Sequence, residues 1–172
     1  MNAAGHLVLI GLMGVGKTTV GSVLARRLSR QLVDSDARIE ALTGRTVKQI
    51  LGDDGVDALR RCEAEALFDA LDDPEPRVIA AAGGIVLEPA NVQRLRQAAD
   101  AGRAEVVWLD IDPNLLPPRT ATRQHRPWLD DDPIGTLLRM HAERGPLYRG
   151  VADRVVAVDG LTPDEVADRV ME

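Results

Sequence analysis

Apolar residues follow two alternating rhythms along this chain. Short, nearly unbroken Val/Ile/Leu runs occur in "HLVLI" (6–10), "QLVDSD" (31–36), "RVIAAA" (77–82), "AEVVWLDI" (104–111) and "RVVAV" (154–158). Between them, apolar positions return at helical spacing over about 17–30, 36–43, 57–71, 89–99, 133–147 and 163–171. Runs lacking polar alternation suit strands covered on both faces, and strands that alternate with helices build a parallel sheet between helical layers. The last helix carries its own start signal: Thr162 as N-cap, Pro163 at the first helical position and Glu165 to complete a capping box. Acidic, proline-bearing stretches at 72–76 and 130–133 read as solvated loops.

Composition narrows the class. A chain of 172 residues predicts one domain, residues 1–172, and 45% hydrophobic with 28% charged residues is ordinary for a globular protein. The net charge of −6 argues against a nucleic-acid partner or an anionic membrane surface. No apolar stretch approaches the length of a membrane span, and the N-terminus lacks a basic leader-like region. The single cysteine, Cys62, excludes an internal disulfide and fits a reducing cytoplasm, with the thiol serving as a small hydrophobe on a helix. His6, His125 and His141 have no metal-ligand spacing.

Chemistry enters at "GLMGVGKTT" (11–19), one step after the first strand. Gly11, Gly16, Lys17 and Thr18 fall at the P-loop spacing, G-x-x-x-x-G-K-[ST]. In such a loop successive amides, here Gly14, Val15, Gly16, Lys17, Thr18 and Thr19, cradle phosphate oxygens at the start of a helix. Lys17 is expected to reach the terminal phosphates of ATP, and Thr18 to bind Mg²⁺. The helix after the loop fits this placement, with Val20, Val23, Leu24 and Leu28 along one face. The expected architecture is therefore an α/β, three-layer P-loop NTPase fold.

Phosphoryl transfer also needs a metal carrier, an oriented hydroxyl and cationic charge on the moving group. "LVDSD" supplies Asp34 and Asp36 at the end of the second strand, where ligands of open α/β sheets gather. One of the two could simply cap the next helix; capping does not explain both. The segment "PPRTATRQHRP" (117–127), with three prolines, three arginines and no apolar rhythm, reads as a mobile lid over the phosphates.

Taken in order, the P-loop, "DSD" (34–36), "TGRTVKQIL" (43–51), "LRRCEAE" (59–65), "AGGIV" (82–86), "RPWL" (126–129) and "ERGPLYR" (143–149) resemble the shikimate kinase family over nearly the whole chain. The resemblance implies a five-stranded parallel sheet flanked by helices, a substrate-binding helical region at about 36–63, and transfer of the ATP γ-phosphoryl to the 3-hydroxyl of shikimate. It implies that Asp34 accompanies the metal, that Asp36 binds the ring hydroxyls and assists the attacking one, and that Arg60 and Arg144 hold the substrate carboxylate. Gly83 and Gly84 then approach the ring, Arg126 meets the phosphates from the lid, and Arg119 with the loop before Pro163 sandwiches the adenine. The family's usual state leads to the expectation of a monomer. Four positions depart on the acceptor side: Val56 replaces a glutamate, Leu51 and Leu59 replace phenylalanines, and Ala82 replaces a glycine. Pro117 and Pro118 also interrupt a usual helix. A kinase for another ring acid or a neutral cyclitol, or a nucleotide-binding regulatory paralogue, are the alternatives. Two arginines for one carboxylate speak against a neutral ring, and the full set of chemical residues speaks against a paralogue that has lost activity.

Overall fold

The computed structural model describes residues 5–116 and 132–172. The expected lid at 117–127, with Arg119 and Arg126, lies outside these residues, as do Pro117 and Pro118. In chain order the elements are β1 (His6–Ile10), α1 (Lys17–Arg27), β2 (Leu32–Asp34), α2 (Ser35–Thr43), α3 (Val47–Leu71), β3 (Val78–Ala80), α4 (Pro89–Asp100), β4 (Ala104–Asp110), α5 (Pro133–Val151), β5 (Arg154–Ala157) and α6 (Pro163–Met171). Two short 3₁₀ turns, Ile85–Leu87 and Pro113–Leu115, follow β3 and β4.

The five strands are all parallel, in the order β2-β3-β1-β4-β5. Every residue of the central strand β1 is buried, which explains its unbroken apolar run. Right-handed crossovers then decide the layers. The step from β1 to β2 runs opposite to the later steps, so α1 covers one face while α3, α4 and α5 cover the other. α6 returns to the first face, where Arg27 of α1 bridges Asp164 and Asp168. One large core spans both faces. A second, small cluster of Ile39, Ile50, Leu59 and Ala66 lies apart beneath α2 and α3.

Three boundaries differ from the sequence expectation. β2 stops at Asp34 because that side chain caps α2, which moves Asp36 out of the strand and into the first turn of the helix. The helix expected at 57–71 begins at Val47, with a Thr46–Gln49 capping box, and passes through a kink at Gly55 (φ 82°, ψ −178°). Only glycine adopts that conformation without strain, so "LGDDGV" holds a true break: the helix expected at 57–71 follows it, and a second helical segment from Val47 precedes it. α5 runs on through Pro146 to Val151.

His6 opens β1 almost fully buried, and its Nδ1 accepts the Arg77 amide at 3.1 Å. Burial lowers its pKa below the ordinary 6.5, against an opposing pull from Asp73. The unfolded chain therefore binds the proton more readily than the folded one, so this contribution to stability is present above pH 6.5 and is lost as pH falls through the lower folded value. Thermal melts from about pH 8 downward should show this loss, and His6→Gln, which keeps an acceptor but cannot charge, should flatten it. An unchanged slope in that variant would assign the pH dependence to other groups.

Candidate active site

Loops leaving β1, β2 and β3 meet at the carboxyl edge of the sheet around a cleft of about 310 Å³. Gly14, Gly16, Lys17, Thr18, Thr19, Asp34, Asp36, Arg60, Gly83, Gly84 and Arg144 all line it. Most of the expected residues are thus brought together from five separate stretches of chain. Val15 turns its side chain into the core at 2% exposure, while its amide donates to Leu12 O at 3.4 Å. Pro163 sits at the start of α6 and does not line the cleft.

The P-loop glycines have separate reasons. A Cβ on Gly11 would stand 2.5 Å from the Leu109 carbonyl, so the loop can cross β4 only without a side chain there. Gly16 caps α1 in the left-handed region (φ 108°), turning the chain abruptly into the helix. That helix start has neither a side-chain cap nor an acidic residue in its first turn, the arrangement that favours an incoming anion. The Lys17 ammonium donates to the Gly11 and Leu12 carbonyls at 2.8 and 2.9 Å, which holds its charge over the loop.

Asp34 works with both oxygens. One accepts the amides of Asp36 and Ala37 at 3.1 and 3.3 Å as the cap of α2, and the other accepts the Thr18 hydroxyl at 2.6 Å. Capping and contact with the P-loop are therefore combined in one carboxylate, which leaves Asp36 to line the cleft. Thr18 and Asp34 bring hard oxygen donors together beside the phosphate loop, a set suited to Mg²⁺. Among the described residues no group of three or more His, Cys, Asp or Glu could hold a metal. A Mg²⁺ shared with phosphates does not require one.

The two arginines of the cleft are largely buried, their side chains 18% and 8% exposed. Arg60 Nη1 donates to Glu63 at 2.5 Å, one helical turn along α3. Burial pushes the Glu63 carboxyl above its usual range, while the Arg60 guanidinium pulls the other way. Arg144 is 6% exposed; its Nη1 donates to the Gly83 carbonyl at 3.3 Å, and its buried Nε makes no hydrogen bond but lies 3.6 Å from the exposed Glu143 carboxylate. A desolvated guanidinium held by long contacts is costly unless a ligand completes it, and a planar carboxylate does so with two parallel bonds. Val47, Leu51, Val56, Leu59 and Met140 form an apolar wall beside these charges.

Two participants were not singled out from the sequence as site residues. Glu63 was visible only as the i+3 neighbour of Arg60, a spacing common on solvated helices. Tyr148 stands one turn after Arg144 on α5, completely buried, and its hydroxyl donates to the Gly83 carbonyl. Cys62, free and half-buried, packs on the small cluster beneath α2 and α3. No described helix is long and apolar enough to cross a membrane.

With this geometry in hand, the comparisons with known proteins are consistent. The family model described as shikimate kinase matches residues 13–172. A shikimate kinase of Dechloromonas aromatica is 43% identical over 156 residues, covering 90% of this chain and 81% of the relative. One of Symbiobacterium thermophilum is 39% identical over 170 residues, covering 97% and 94%. The solved structure of the Acinetobacter baumannii shikimate kinase in complex with shikimate superposes with a TM-score of 0.90 at 32% identity, covering 97% of this chain and 90% of that one.

Gly84 offers a direct test of the cationic end. A Cβ at this position would lie 1.8 Å from Arg60 Nη1, the far end of a flexible side chain rather than backbone. Gly84→Ala should therefore displace the guanidinium and leave the melting temperature nearly unchanged. A crystal structure of the variant should show Arg60 moved off its present position, and a variant that unfolds instead would mean the glycine serves the backbone.

Proposed function

The chain belongs to the shikimate kinase family, and we propose that its cleft transfers the γ-phosphoryl of ATP to the 3-hydroxyl of shikimate, a step of chorismate and hence aromatic amino acid biosynthesis. The observation that carries the reading is that a P-loop and two arginines line one cleft, one of the arginines being 6% exposed. A neutral cyclitol would leave Arg144 charged, desolvated and incompletely bonded, which disfavours it as acceptor.

Each residue then has a physical task. The amides from Gly14 to Thr19 hold the phosphates, and Lys17 offsets charge on the β- and γ-groups. Thr18 and Asp34 would hold Mg²⁺, which supplies further neutralisation of phosphate charge when bound. Arg60 and Arg144 fix the acceptor by its carboxylate, and Gly83 and Gly84 let the ring lie against backbone. Asp36 accepts the hydrogen bond of the attacking hydroxyl and takes its proton as the new oxygen–phosphorus bond forms and the bond to ADP breaks. Arg126 of the lid is assigned the transferring phosphoryl; Arg119 and Pro163 are assigned the adenine. The apolar wall of Leu51, Val56 and Leu59 suits the carbon face of a cyclohexene ring, so these substitutions keep the acceptor class. Action as a monomer in the cytoplasm completes the proposal, supported by the acidic balance and the single cysteine.

Three measurements test it. Lys17→Ala should lower kcat by on the order of a hundredfold or more with the fold intact, because removing one group that meets developing charge commonly costs that much. A coupled ATP-consumption assay with near-wild-type turnover would end the P-loop assignment. Arg60→Ala or Arg144→Ala should raise the shikimate KM by roughly tenfold to a hundredfold, the loss expected for charge-assisted hydrogen bonds, with the ATP KM nearly constant. Shikimate methyl ester should be a poor acceptor for the unmodified enzyme and should lose that disadvantage in Arg144→Ala. Equal turnover of acid and ester by the unmodified enzyme would overturn the carboxylate clamp.

A further inference from the structure

The sequence pattern "ERGPLYR" contains a tyrosine to which the proposed chemistry gives no task. Tyr148 is fully buried under α5, with its ring 5.7 Å from that of Trp108 and tilted by 32°. Trp108 is in turn covered by Arg149, whose guanidinium carbon lies 5.3 Å from the ring centre. The phenol is thus braced from β4 and cannot swing aside without disturbing the core. Its hydroxyl donates to the Gly83 carbonyl, the same oxygen that receives Arg144 Nη1 at 3.3 Å.

We propose that Tyr148 is a positioning residue for the acceptor: together with Arg144 it holds the Gly83 carbonyl, and so sets the Gly83–Gly84 peptide plane and the depth of the Arg144 guanidinium. Stereochemistry links these effects. A carbonyl oxygen has two lone pairs, and here two donors occupy them. In a trans peptide the carbonyl and the following amide point in opposite directions, so anchoring Gly83 O beneath α5 directs the Gly84 N–H away from α5. No other backbone group among the described residues takes up that amide. Gly83 and Gly84 both line the cleft, and the Arg60 guanidinium lies directly over Gly84. Rotation of this one peptide would therefore disturb both arginines at once.

The hydroxyl suits the task because it remains a donor. Burial raises its pKa to about 12, against opposing pulls from Arg144 and Arg60, so it stays protonated throughout the neutral range. A packing tyrosine alone would fill the same volume equally well as phenylalanine. Glycine at position 83 fits the same picture: a Cβ there would approach the Met13 amide nitrogen to 3.2 Å, so the anchored peptide sits tightly against the P-loop.

The inference rests on the reading of Gly83, Gly84 and Arg144 as acceptor groups, and its test separates the two. Tyr148→Phe should raise the shikimate KM by roughly tenfold while the ATP KM stays within about a factor of two, the expected effect of losing one positioning hydrogen bond. Tyr148 is the chain's single tyrosine, so biosynthetic incorporation of 3-fluorotyrosine labels this position alone. Its one fluorine resonance should shift on addition of shikimate and stay in place with a non-hydrolysable ATP analogue alone. If Tyr148→Phe lowers only the melting temperature, or raises both KM values equally, the positioning role is overturned. If that variant fails to fold, the fluorine experiment decides, and a resonance indifferent to shikimate overturns the proposal. Arg144→Ala, measured alongside, identifies which idea has failed. An unchanged shikimate KM there rejects the acceptor reading itself, whereas a raised value beside an unaffected Tyr148→Phe rejects only the tyrosine's part.

Discussion

Holding the Arg60 and Arg144 guanidiniums largely buried beside Glu63 is the constraint around which the arginine end of the cleft is organised. An ion removed from water costs several kcal/mol unless its bonds are replaced, so each must find partners within reach. Glu63 lies beside Arg60 for this reason, and the Gly83 carbonyl takes a donor from Arg144. The remaining parts of that end follow. Gly84 must lack a side chain so that Arg60 can lie against it, and α5 must dock firmly enough on Trp108 to keep Arg144 at depth.

The sheet supplies the second half of the arrangement. Parallel strands end on one edge together, so loops distant in sequence deliver a phosphate cradle, a capping carboxylate and an arginine pair to one cleft. The linkage between the halves is short. Asp34 closes β2, starts α2 and accepts Thr18, so the position of Asp36 in the cleft depends on a contact with the P-loop itself.

The strands and the phosphate loop were legible in the sequence because their signals are local. Unbroken apolar runs identify buried strands, and four residues at set spacing identify the loop. The stretch of α3 after the Gly55 kink was legible, but the segment before it was not: only the capping box at Thr46 and packing on the small cluster show that Val47 onward is helical. Asp34 was recognisable as important, but its double use depends on Thr18 lying close in space, which no spacing along the chain expresses. Tyr148 was hidden for the same reason. An aromatic residue one turn from an arginine reads as core, and its hydroxyl acquires meaning only when the Gly83 carbonyl arrives from β3.

Contacts within the protein also shape how tightly it can bind its ligands. Lys17 bonds to the Gly11 and Leu12 carbonyls and Thr18 bonds to Asp34, so phosphate and metal must take these groups from existing partners. Such an exchange yields much less net free energy than the gross strength of the new bonds, about 1 kcal/mol for a typical hydrogen bond. Arg144 differs in degree: its guanidinium bonds the Gly83 carbonyl at 3.3 Å and its Nε lies 3.6 Å from the exposed Glu143 carboxylate, so an incoming anion competes only with long contacts. On the proposed reading, binding at the P-loop is moderated by the exchange of short bonds and binding at Arg144 by the exchange of longer ones.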